Sequence, residues 1–293
     1  MKKEKVPQLI KIDSQQFSFQ AYGVKVGIKA KENEYLLEIE KRLEKILPNG
    51  FEKIEKIERE EIEHIFQIKQ KKDGGFQLFR NEKNVANSSL EAEFFDFVES
   101  EIRLTVAEYA VSRVFLHAGV VAWKGKAIIL PGSSFSGKTS LVAALIKKGA
   151  LYYSDEYAVL DENGDVHPFP KMLSLRGIID DFKQVDYTAE ALGGKVGYEP
   201  IEVGMVLLTK YDSTYDGLTK NDAKIFEPEV LSAGQAMLEI ILQTISVRVN
   251  PKFVLQVLNK VVNSAIIAKS KRGEAQQFAD LLLDYFEEKI IDG

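Results

Sequence analysis

The N-terminal part of the chain alternates apolar and polar residues over short stretches. Residues 16–30 (QFSFQAYGVKVGIKA) have the period-two pattern of one or two strands. More strand-like pieces surround an Asp-Gly-Gly turn at 73–75. Between them, residues 35–47 have an apolar face at helical spacing, made by Leu36, Ile39, Leu43 and Leu47. We therefore predict a small α/β unit over residues 1–88.

A long amphipathic helix is predicted next. Ser89 is a suitable N-cap, and an apolar face then continues for about seven turns, to Val114. After residue 117 the pattern changes to short apolar runs that alternate with helical segments. Two strands, AGVVAW and AIIL, are joined by a tight turn at KGK, and the helix KTSLVAALIKKGA ends at Gly149.

The end of the chain has apolar residues at helical spacing in three runs. We therefore predict a second domain over residues 89–293, in which the part from about 228 to 293 is helical. Within this domain, the strands around residue 117 and the apolar strand 202–211 predict a core sheet with flanking helices. The predicted fold class is α/β.

Composition excludes several kinds of site. The 293 residues include no cysteine and three histidines, which excludes disulfides, cysteine nucleophiles and thiolate metal sites. The net charge of -5 argues against a broad nucleic-acid surface. The N-terminal MKKEKVPQLIKID lacks the apolar stretch of a signal peptide, and no run has the length of a membrane span. We expect a cytoplasmic protein that binds neither nucleic acid nor membrane.

A phosphate-binding motif follows the strand AIIL. Residues 132–139 (GSSFSGKT) match G-x-x-x-x-G-K-[ST] in full. In such a loop the glycines let consecutive N–H groups point at a phosphate from a helix N-terminus. The lysine reaches the β- and γ-phosphates and the next hydroxyl binds magnesium. The predicted cofactors are ATP and Mg²⁺, bound by Gly132, Ser133, Ser134, Phe135, Ser136, Gly137, Lys138, Thr139 and Ser140.

An acidic pair, Asp155-Glu156, follows the helix after this loop. One carboxylate would bind magnesium, and the other, with its pKa raised by its neighbour, would accept a proton from a hydroxyl. The alternative is two solvated loop acids. The position after the glycine loop favours the catalytic interpretation.

The segment FLHAGVVAWKGKAIILPGSSFSGKTSLVAALIKKGALYYSDEYAVL resembles the catalytic domain of the HPr kinase/phosphorylase family. That domain is similar in fold to phosphoenolpyruvate carboxykinase around the phosphate loop. The resemblance covers roughly residues 115–176. It implies that Lys138 binds the β/γ-phosphates, that Thr139 and Asp155 bind magnesium, and that the acidic pair activates the attacking hydroxyl. It also implies that His117 lies near the active site, whereas a histidine between apolar stretches is by itself typical of a core residue.

The chain also departs from that family. Glu156 stands where the family has a second aspartate, and Leu175 stands before Arg176-Gly177 where the family has a glutamate. We therefore do not predict the phosphorylase reaction. Lys171 and Arg176 are candidates to neutralise the transferred phosphoryl group, the alternative being surface charges on a strand. The N-terminal unit does not match the family, so the choice of acceptor does not carry over.

Three functions remain in competition. The first is an ATP- and magnesium-dependent kinase that phosphorylates a serine or threonine of a small protein or peptide. The second is a kinase for a small metabolite, and the third is a non-catalytic nucleotide-binding regulatory protein. The resemblance also implies a homo-oligomer. We interpret the basic cluster 269–275 as the solvated start of a helix, the alternative being that Arg272 approaches the nucleotide or a neighbouring subunit.

Overall fold

The computed structural model describes residues 15–48, 50–54, 61–132, 136–176, 184–217 and 226–291. These ranges contain six α-helices and three β-sheets, which confirms the predicted α/β class. The chain divides into two compact units, residues 1–46 with 50–103 and residues 47–49 with 104–293. In the described ranges no helix has the length and apolar character needed to cross a lipid bilayer.

The first unit is one six-stranded sheet with helices. Its elements are β1 (Gln15–Ala21), β2 (Val24–Ala30), α1 (Asn33–Ile46), β3 (Phe51–Ile54), β4 (His64–Gln70), β5 (Phe76–Arg80), β6 (Lys83–Ser88) and the first part of α2 (Glu91–Tyr109). The strand order is β3-β1-β2-β4-β5-β6, and only the pair β2 and β4 is parallel among these described strands. The predicted helix after residue 88 is confirmed as α2, but it ends at Tyr109, five residues before the next strand.

Alternation along β2 explains the core of this unit. Val24, Val26 and Ile28 are fully buried, and α1 packs on β1 and β2 with its predicted apolar face. A buried carboxylate, Glu99 of α2, accepts a hydrogen bond from Arg42 Nη1 at 2.7 Å. The ion pair offsets the desolvation cost of the buried carboxylate, so we interpret Glu99 as a structural residue and not as part of a functional site.

The second unit contains the glycine loop. Its elements in chain order are β7 (Val114–Trp123), β8 (Lys126–Pro131), α3 (Lys138–Lys147), β9 (Leu151–Ser154), β10 (Tyr157–Leu160), β11 (Val166–His167), β12 (Leu173–Arg176), β13 (Gln184–Tyr187), β14 (Lys195–Val196), β15 (Val203–Tyr211), β16 (Glu229–Val230), α4 (Ala233–Ile241), α5 (Pro251–Ser264), β17 (Ile266–Arg272) and α6 (Ala275–Phe286). A π-helical turn, Glu287–Ile291, follows α6.

The main sheet of this unit has the order β11-β10-β7-β8-β15-β17-β16, and β9 pairs with β7 and β14. The strands β8, β15 and β17 are parallel, so their carboxyl ends lie at one edge of the sheet. Two apolar layers cover the sheet: α3 and α6 pack on one face, and α4 and α5 on the other. In open α/β sheets, ligands bind at the carboxyl ends of the parallel strands.

The hairpin of β7 and β8 places the glycine loop. Lys124 and Gly125 have φ values of 50° and 84°, as a two-residue hairpin turn requires. Helix α3 packs closely over β7, since a Cβ added at Gly119 would come within 2.6 Å of Val142. This glycine therefore sets how near the helix that follows the loop lies to the sheet.

The predicted helical end of the chain is partly wrong, because residues 228–293 also contain β16 and β17. Ile266, Ile267 and Ala268 form a parallel ladder with β15. This strand forms because of its long-range pairing with β15 and its two β-branched residues, Ile266 and Ile267. The helical spacing of apolar residues in this part of the chain therefore predicted the wrong element. Of the cluster 269–275 that we interpreted as a solvated helix start, residues 269–272 are the carboxyl end of this strand and α6 begins only at Ala275.

Candidate active site at the glycine loop

The glycine loop connects the carboxyl end of β8 to the amino end of α3. Gly132 N donates to the carbonyl of His117 on β7 at 3.3 Å, which ties the start of the loop to the sheet. Gly137 is the N-cap of α3 with φ 81°, a left-handed conformation that glycine adopts without strain. No side-chain hydrogen bond caps this helix in the described part of the loop, so its first N–H groups remain suited to an anionic ligand.

Lys138 lies at the first position of α3 and reaches back over the loop. Its Nζ donates to the carbonyl of Gly132 at 2.6 Å. Burial lowers the pKa of Lys138, while the nearby carboxylates of Glu156 and Asp155 oppose that shift. Beside it, the buried Oγ of Ser136 has no hydrogen-bond partner among the described residues. An ammonium and a hydroxyl thus both lie beside Gly132 at the start of the loop.

The acidic pair lies in a tight turn between β9 and β10. Ser154 is fully buried, and its Oγ accepts hydrogen bonds from the backbone N–H groups of Glu156 at 3.1 Å and Tyr157 at 3.0 Å. The carbonyl of Glu156 accepts from Ala118 N of β7 at 3.2 Å. These bonds fix the turn, so the two carboxylates have defined positions beside the glycine loop.

Asp155 contacts the start of α3. Thr139 Oγ1 donates to Asp155 Oδ2 at 3.4 Å, and the Tyr152 hydroxyl lies 3.1 Å from Asp155 Oδ1 and 2.5 Å from the carbonyl oxygen of Lys171. Because a phenol carries one hydrogen, Tyr152 donates to only one of these acceptors at a time. Burial is the largest cause that raises the pKa of Asp155, to about 6. Lys171 opposes this shift and the charge of Glu156 adds to it.

Glu156 has a separate partner. Its Oε2 accepts a hydrogen bond from Lys171 Nζ at 3.0 Å, and both side chains are mostly buried. The two acids therefore have different surroundings: Glu156 is bound by the ammonium of Lys171, whereas Asp155 is contacted by the hydroxyls of Thr139 and Tyr152. Two adjacent carboxylates with different partners can therefore perform different tasks.

Arg272, at the end of β17, also contacts the glycine loop. Its side chain is 4% exposed, and Nη2 donates to the carbonyls of Ser136 at 3.3 Å and Gly137 at 3.2 Å. Nη1 donates to the carbonyl of Gly273 at 2.9 Å, and burial lowers the pKa of this guanidinium. A Cβ added at Gly137 would come within 2.2 Å of Nη2. The left-handed conformation favours glycine at this position, and a larger residue would also have to displace the end of the Arg272 side chain.

The contact with Arg272 orients two amide groups. In a trans peptide the C=O and the next N–H point in opposite directions, and the described chain has no cis peptide bond. Since the carbonyls of Ser136 and Gly137 point at Arg272, the N–H groups of Gly137 and Lys138 point away from it. Arg272 thus positions two of the donors that a phosphate loop uses.

The other predicted residues fall in different places. His117 lies on β7, its ring centroid is 6.2 Å from that of Tyr157, and its carbonyl holds the loop. Arg176 ends β12, and its side chain lies outside the described part, as do Ser133, Ser134 and Phe135. Ser140 is exposed on the first turn of α3. The structure therefore brings together Lys138, Thr139, Asp155 and Glu156 among the predicted residues.

Sequence reasoning missed Tyr152 and preferred a solvated position for Arg272 over the alternative that it approaches the nucleotide or a neighbouring subunit. Tyr152 lies three residues before Asp155, and this spacing alone does not indicate that its hydroxyl contacts the carboxylate. Arg272 is 135 residues from Gly137, and only the parallel pairing of β17 with β15 brings its end to the loop. A glycine directly after this arginine marks a close approach of two backbones, because a Cβ at Gly273 would lie 2.2 Å from the carbonyl oxygen of Tyr215.

A metal would be held here by few protein ligands. The described residues contain no group of three or more His, Cys, Asp or Glu side chains arranged for a metal ion. Thr139 Oγ1 and Asp155 Oδ2 are oxygen ligands close to the glycine loop. This sparse donor set fits Mg²⁺ bound together with nucleotide phosphates, because such sites use one or two carboxylates and complete the shell with phosphate oxygens and water.

No protein-family model matches the chain, and no curated protein matches it. Among solved structures, the chain is similar to the Hpr(Ser) kinase/phosphatase from Coxiella burnetii, with 14% sequence identity and a TM-score of 0.31, over 61% of this chain and 99% of that chain. Similarity at this level carries no argument about function, which has to come from the site itself.

Proposed function

We propose that this chain is an ATP- and magnesium-dependent kinase that transfers the γ-phosphoryl group to a hydroxyl, a serine or threonine of a small protein or peptide. The observation that carries the proposal is the 3.4 Å contact between Thr139 at the start of α3 and Asp155 of the acidic turn. It joins the residue that follows the motif lysine to a carboxylate of raised pKa. Once Asp155 and Thr139 hold Mg²⁺, the second carboxylate, Glu156, remains for the acceptor hydroxyl, and a protein that only held a nucleotide would not need both acids.

The nucleotide would bind with its phosphates in the glycine loop. The N–H groups of Gly137 and Lys138 would donate to phosphate oxygens, and Lys138 would exchange its bond to the Gly132 carbonyl for the β/γ-phosphates. Thr139 and Asp155 would hold Mg²⁺. When bound, this ion supplies charge stabilisation for the phosphoryl group and the leaving oxygen.

Glu156 is then the group that faces the acceptor. The acceptor oxygen forms a bond to the γ-phosphorus while the bond from that phosphorus to the β–γ bridging oxygen breaks, and its electron pair remains on ADP. The acceptor proton passes to Glu156, or to Asp155 where that carboxylate is not engaged by the metal. Lys171, at 3.0 Å from Glu156, holds this carboxylate and adds positive charge beside the transferred group.

The test uses γ-labelled ATP, Mg²⁺, purified protein and desalted lysate of the source organism. Labelled products are separated into macromolecules and small molecules. We expect a labelled protein band that Lys138→Ala abolishes, whereas Lys147→Ala, an exposed lysine of the same helix, leaves it unchanged. Label only in the small-molecule fraction would identify a metabolite kinase instead. Absence of transfer to either fraction, with nucleotide binding retained, would leave the regulatory function.

A further inference from the structure

Tyr152 of β9 is a buried tyrosine that the proposed transfer does not use. Its side chain is 1% exposed and packs in the apolar layer that contains α3. A phenol in such a layer carries a hydroxyl that needs a polar partner. The hydroxyl of Tyr152 finds this partner at the acidic turn, where it lies 3.1 Å from Asp155 Oδ1 and 2.5 Å from the carbonyl oxygen of Lys171.

The backbone of Tyr152 is held on both sides. Strand β9 pairs at this residue with Val121 of β7 and with Val196 of β14. The carbonyl of Tyr152 also accepts a hydrogen bond from Gly197 N at 2.9 Å. Because the phenolic oxygen lies on the rotation axis of the ring, turning the ring does not displace it. The hydroxyl is therefore a fixed point beside a carboxylate of the turn.

The two oxygens of the Asp155 carboxylate have different neighbours. Oδ1 faces the hydroxyl of Tyr152, and Oδ2 lies 3.4 Å from Thr139 Oγ1 at the start of α3. The terminal torsion of an aspartate is broad and roughly two-fold, so it does not by itself fix the direction of either oxygen. A donor on Oδ1 fixes both, and Oδ2 is then held on the side of the glycine loop.

The single hydrogen of the phenol has two possible acceptors. A hydrogen bond to an ionised group is about twice as strong as one between neutral groups. The ionised carboxylate of Asp155 is thus a stronger acceptor than the neutral carbonyl of Lys171, although that carbonyl lies nearer. Metal binding requires an ionised carboxylate, so in the state that binds Mg²⁺ the hydrogen of Tyr152 points at Asp155.

We propose that Tyr152 is a positioning residue for magnesium: its hydroxyl holds Asp155 Oδ1, so that Oδ2 is presented to the metal beside Thr139. The inference rests on the proposed function, because it takes Asp155 and Thr139 as the magnesium ligands. Carboxylates that bind a metal are in turn held by hydrogen bonds from surrounding residues, and loss of such a partner typically weakens metal binding about 10- to 100-fold. Neither the loop motif nor the acidic pair indicates this tyrosine.

The experiment measures the Kd for ADP by titration calorimetry, once with EDTA and once with saturating Mg²⁺. The ratio of the two values is the gain in affinity that magnesium supplies, and by linkage it reports the affinity of the ADP complex for the metal. We expect this gain to fall about 10-fold or more in Tyr152→Phe, because the carboxylate is no longer held. The Kd with EDTA should not change, because Tyr152 does not contact the glycine loop.

Tyr153→Phe is the matched control. Tyr153 is the next residue of the same strand, it is 2% exposed, and its hydroxyl donates to the carbonyl of Glu199 at 2.8 Å. Its side chain packs in the apolar layer on the other face of the sheet. This variant also loses a buried phenolic hydroxyl and its hydrogen bond, but it should keep the full gain from magnesium.

The outcomes separate this inference from the proposed function. An unchanged gain in Tyr152→Phe, or an equal fall in both variants, would overturn the role of Tyr152 and leave the kinase proposal standing. Absence of any gain in the unmodified chain would overturn the magnesium site of the proposed function, and the inference with it. Failure to bind ADP under either condition would overturn the phosphate site itself.

A second measurement does not depend on the folding of the Tyr152→Phe variant. Mg²⁺ is added to the unmodified chain saturated with ADP, and the ultraviolet difference spectrum of its tyrosines is recorded. We expect a shift of tyrosine absorption, because a metal ion on Asp155 weakens the hydrogen bond that this carboxylate accepts from Tyr152. Tyr153→Phe should keep the shift. A tyrosine spectrum that magnesium leaves unchanged would contradict the inference.

Discussion

Arg272→Met removes the guanidinium that binds the carbonyls of Ser136 and Gly137 while keeping an apolar stem of similar length. The two contacts, at 3.3 and 3.2 Å, come from one nitrogen, so we count them as one charge-assisted hydrogen bond. The carbonyl of Gly137 would keep its bond from Leu141 N at 3.1 Å, whereas the carbonyl of Ser136 would lose its described donor. The peptide between Ser136 and Gly137 would then be free to rotate.

The expected loss of affinity follows from this single bond. Hydrogen bonds to charged groups contribute about 1.5–3 kcal/mol. If Arg272 positions the loop amides for phosphate, the same amount is lost from binding, and Mg-ADP should bind about 10- to 150-fold more weakly. Stability should change little, because the apolar side chain removes the desolvation cost of the buried guanidinium, which offsets the lost hydrogen bond to Ser136. At about 2–4 °C per kcal/mol for a domain of this size, we expect a Tm shift below about 4 °C.

The assay measures the Kd for Mg-ADP by calorimetry and the Tm by thermal unfolding on the same samples. Arg248→Met, at an exposed arginine of the same unit, is the control and should change neither quantity. An unchanged Kd in Arg272→Met would refute the reasoning, because it would show that the loop amides keep their orientation without the guanidinium. A large fall in Tm with a parallel fall in affinity would assign Arg272 a structural role only.

Three further predictions follow from the acidic turn and the glycine loop. Burial raises the folded-state pKa of Asp155 from 3.8 to about 6, so its ionisation destabilises the folded chain as the pH rises through this window. Asp155→Asn should therefore raise the Tm at pH 7.5 by an amount equivalent to about 1–3 kcal/mol while abolishing phosphoryl transfer. An unchanged or lower Tm would contradict the assignment. Lys171→Met removes the cation that lowers this pKa, so the acid limb of the activity profile, expected near pH 6, should move to higher pH; a limb that stays in place or moves to lower pH would count against this account. Gly137→Ala brings a Cβ within 2.2 Å of Arg272 at a φ of 81°, so Mg-ADP affinity should fall about 10-fold or more with circular dichroism unchanged, and retention of affinity would show that the loop adapts without cost.

Local patterns predicted much of the secondary structure. The strands around Gly23, the helix predicted over 35–47 and observed as Asn33–Ile46, the hairpin of β7 and β8 and helix α3 are all confirmed. Each is specified by alternation, helical spacing or a glycine turn within a few residues. The end of the chain was predicted less well. Strand β17 pairs with β15, which lies more than fifty residues earlier in the chain. The spacing of apolar residues within a short segment does not indicate a partner at that distance.

The candidate site was predictable to a similar extent. The motif by itself indicated Lys138 and Thr139, and the chain order after α3 indicated the acidic pair. Their proximity, with Thr139 Oγ1 at 3.4 Å from Asp155, depends on the antiparallel pairing of β9 and β10 with β7. The raised pKa of Asp155 depends on burial, which sequence spacing does not give.

The sequence by itself determined the α/β class, the glycine loop and the residue types that phosphoryl transfer requires, because those features are written in short stretches of chain. The tertiary structure alone decided that Arg272 binds the glycine loop and that Tyr152 shares Asp155 with Thr139. The physical reason is strand pairing: the parallel pairing of β17 with β15 brings Arg272 to the glycine loop, and the antiparallel pairing of β9 and β10 with β7 brings the acidic turn to the same edge of the sheet. Residues far apart in the chain acquire their shared chemistry only there.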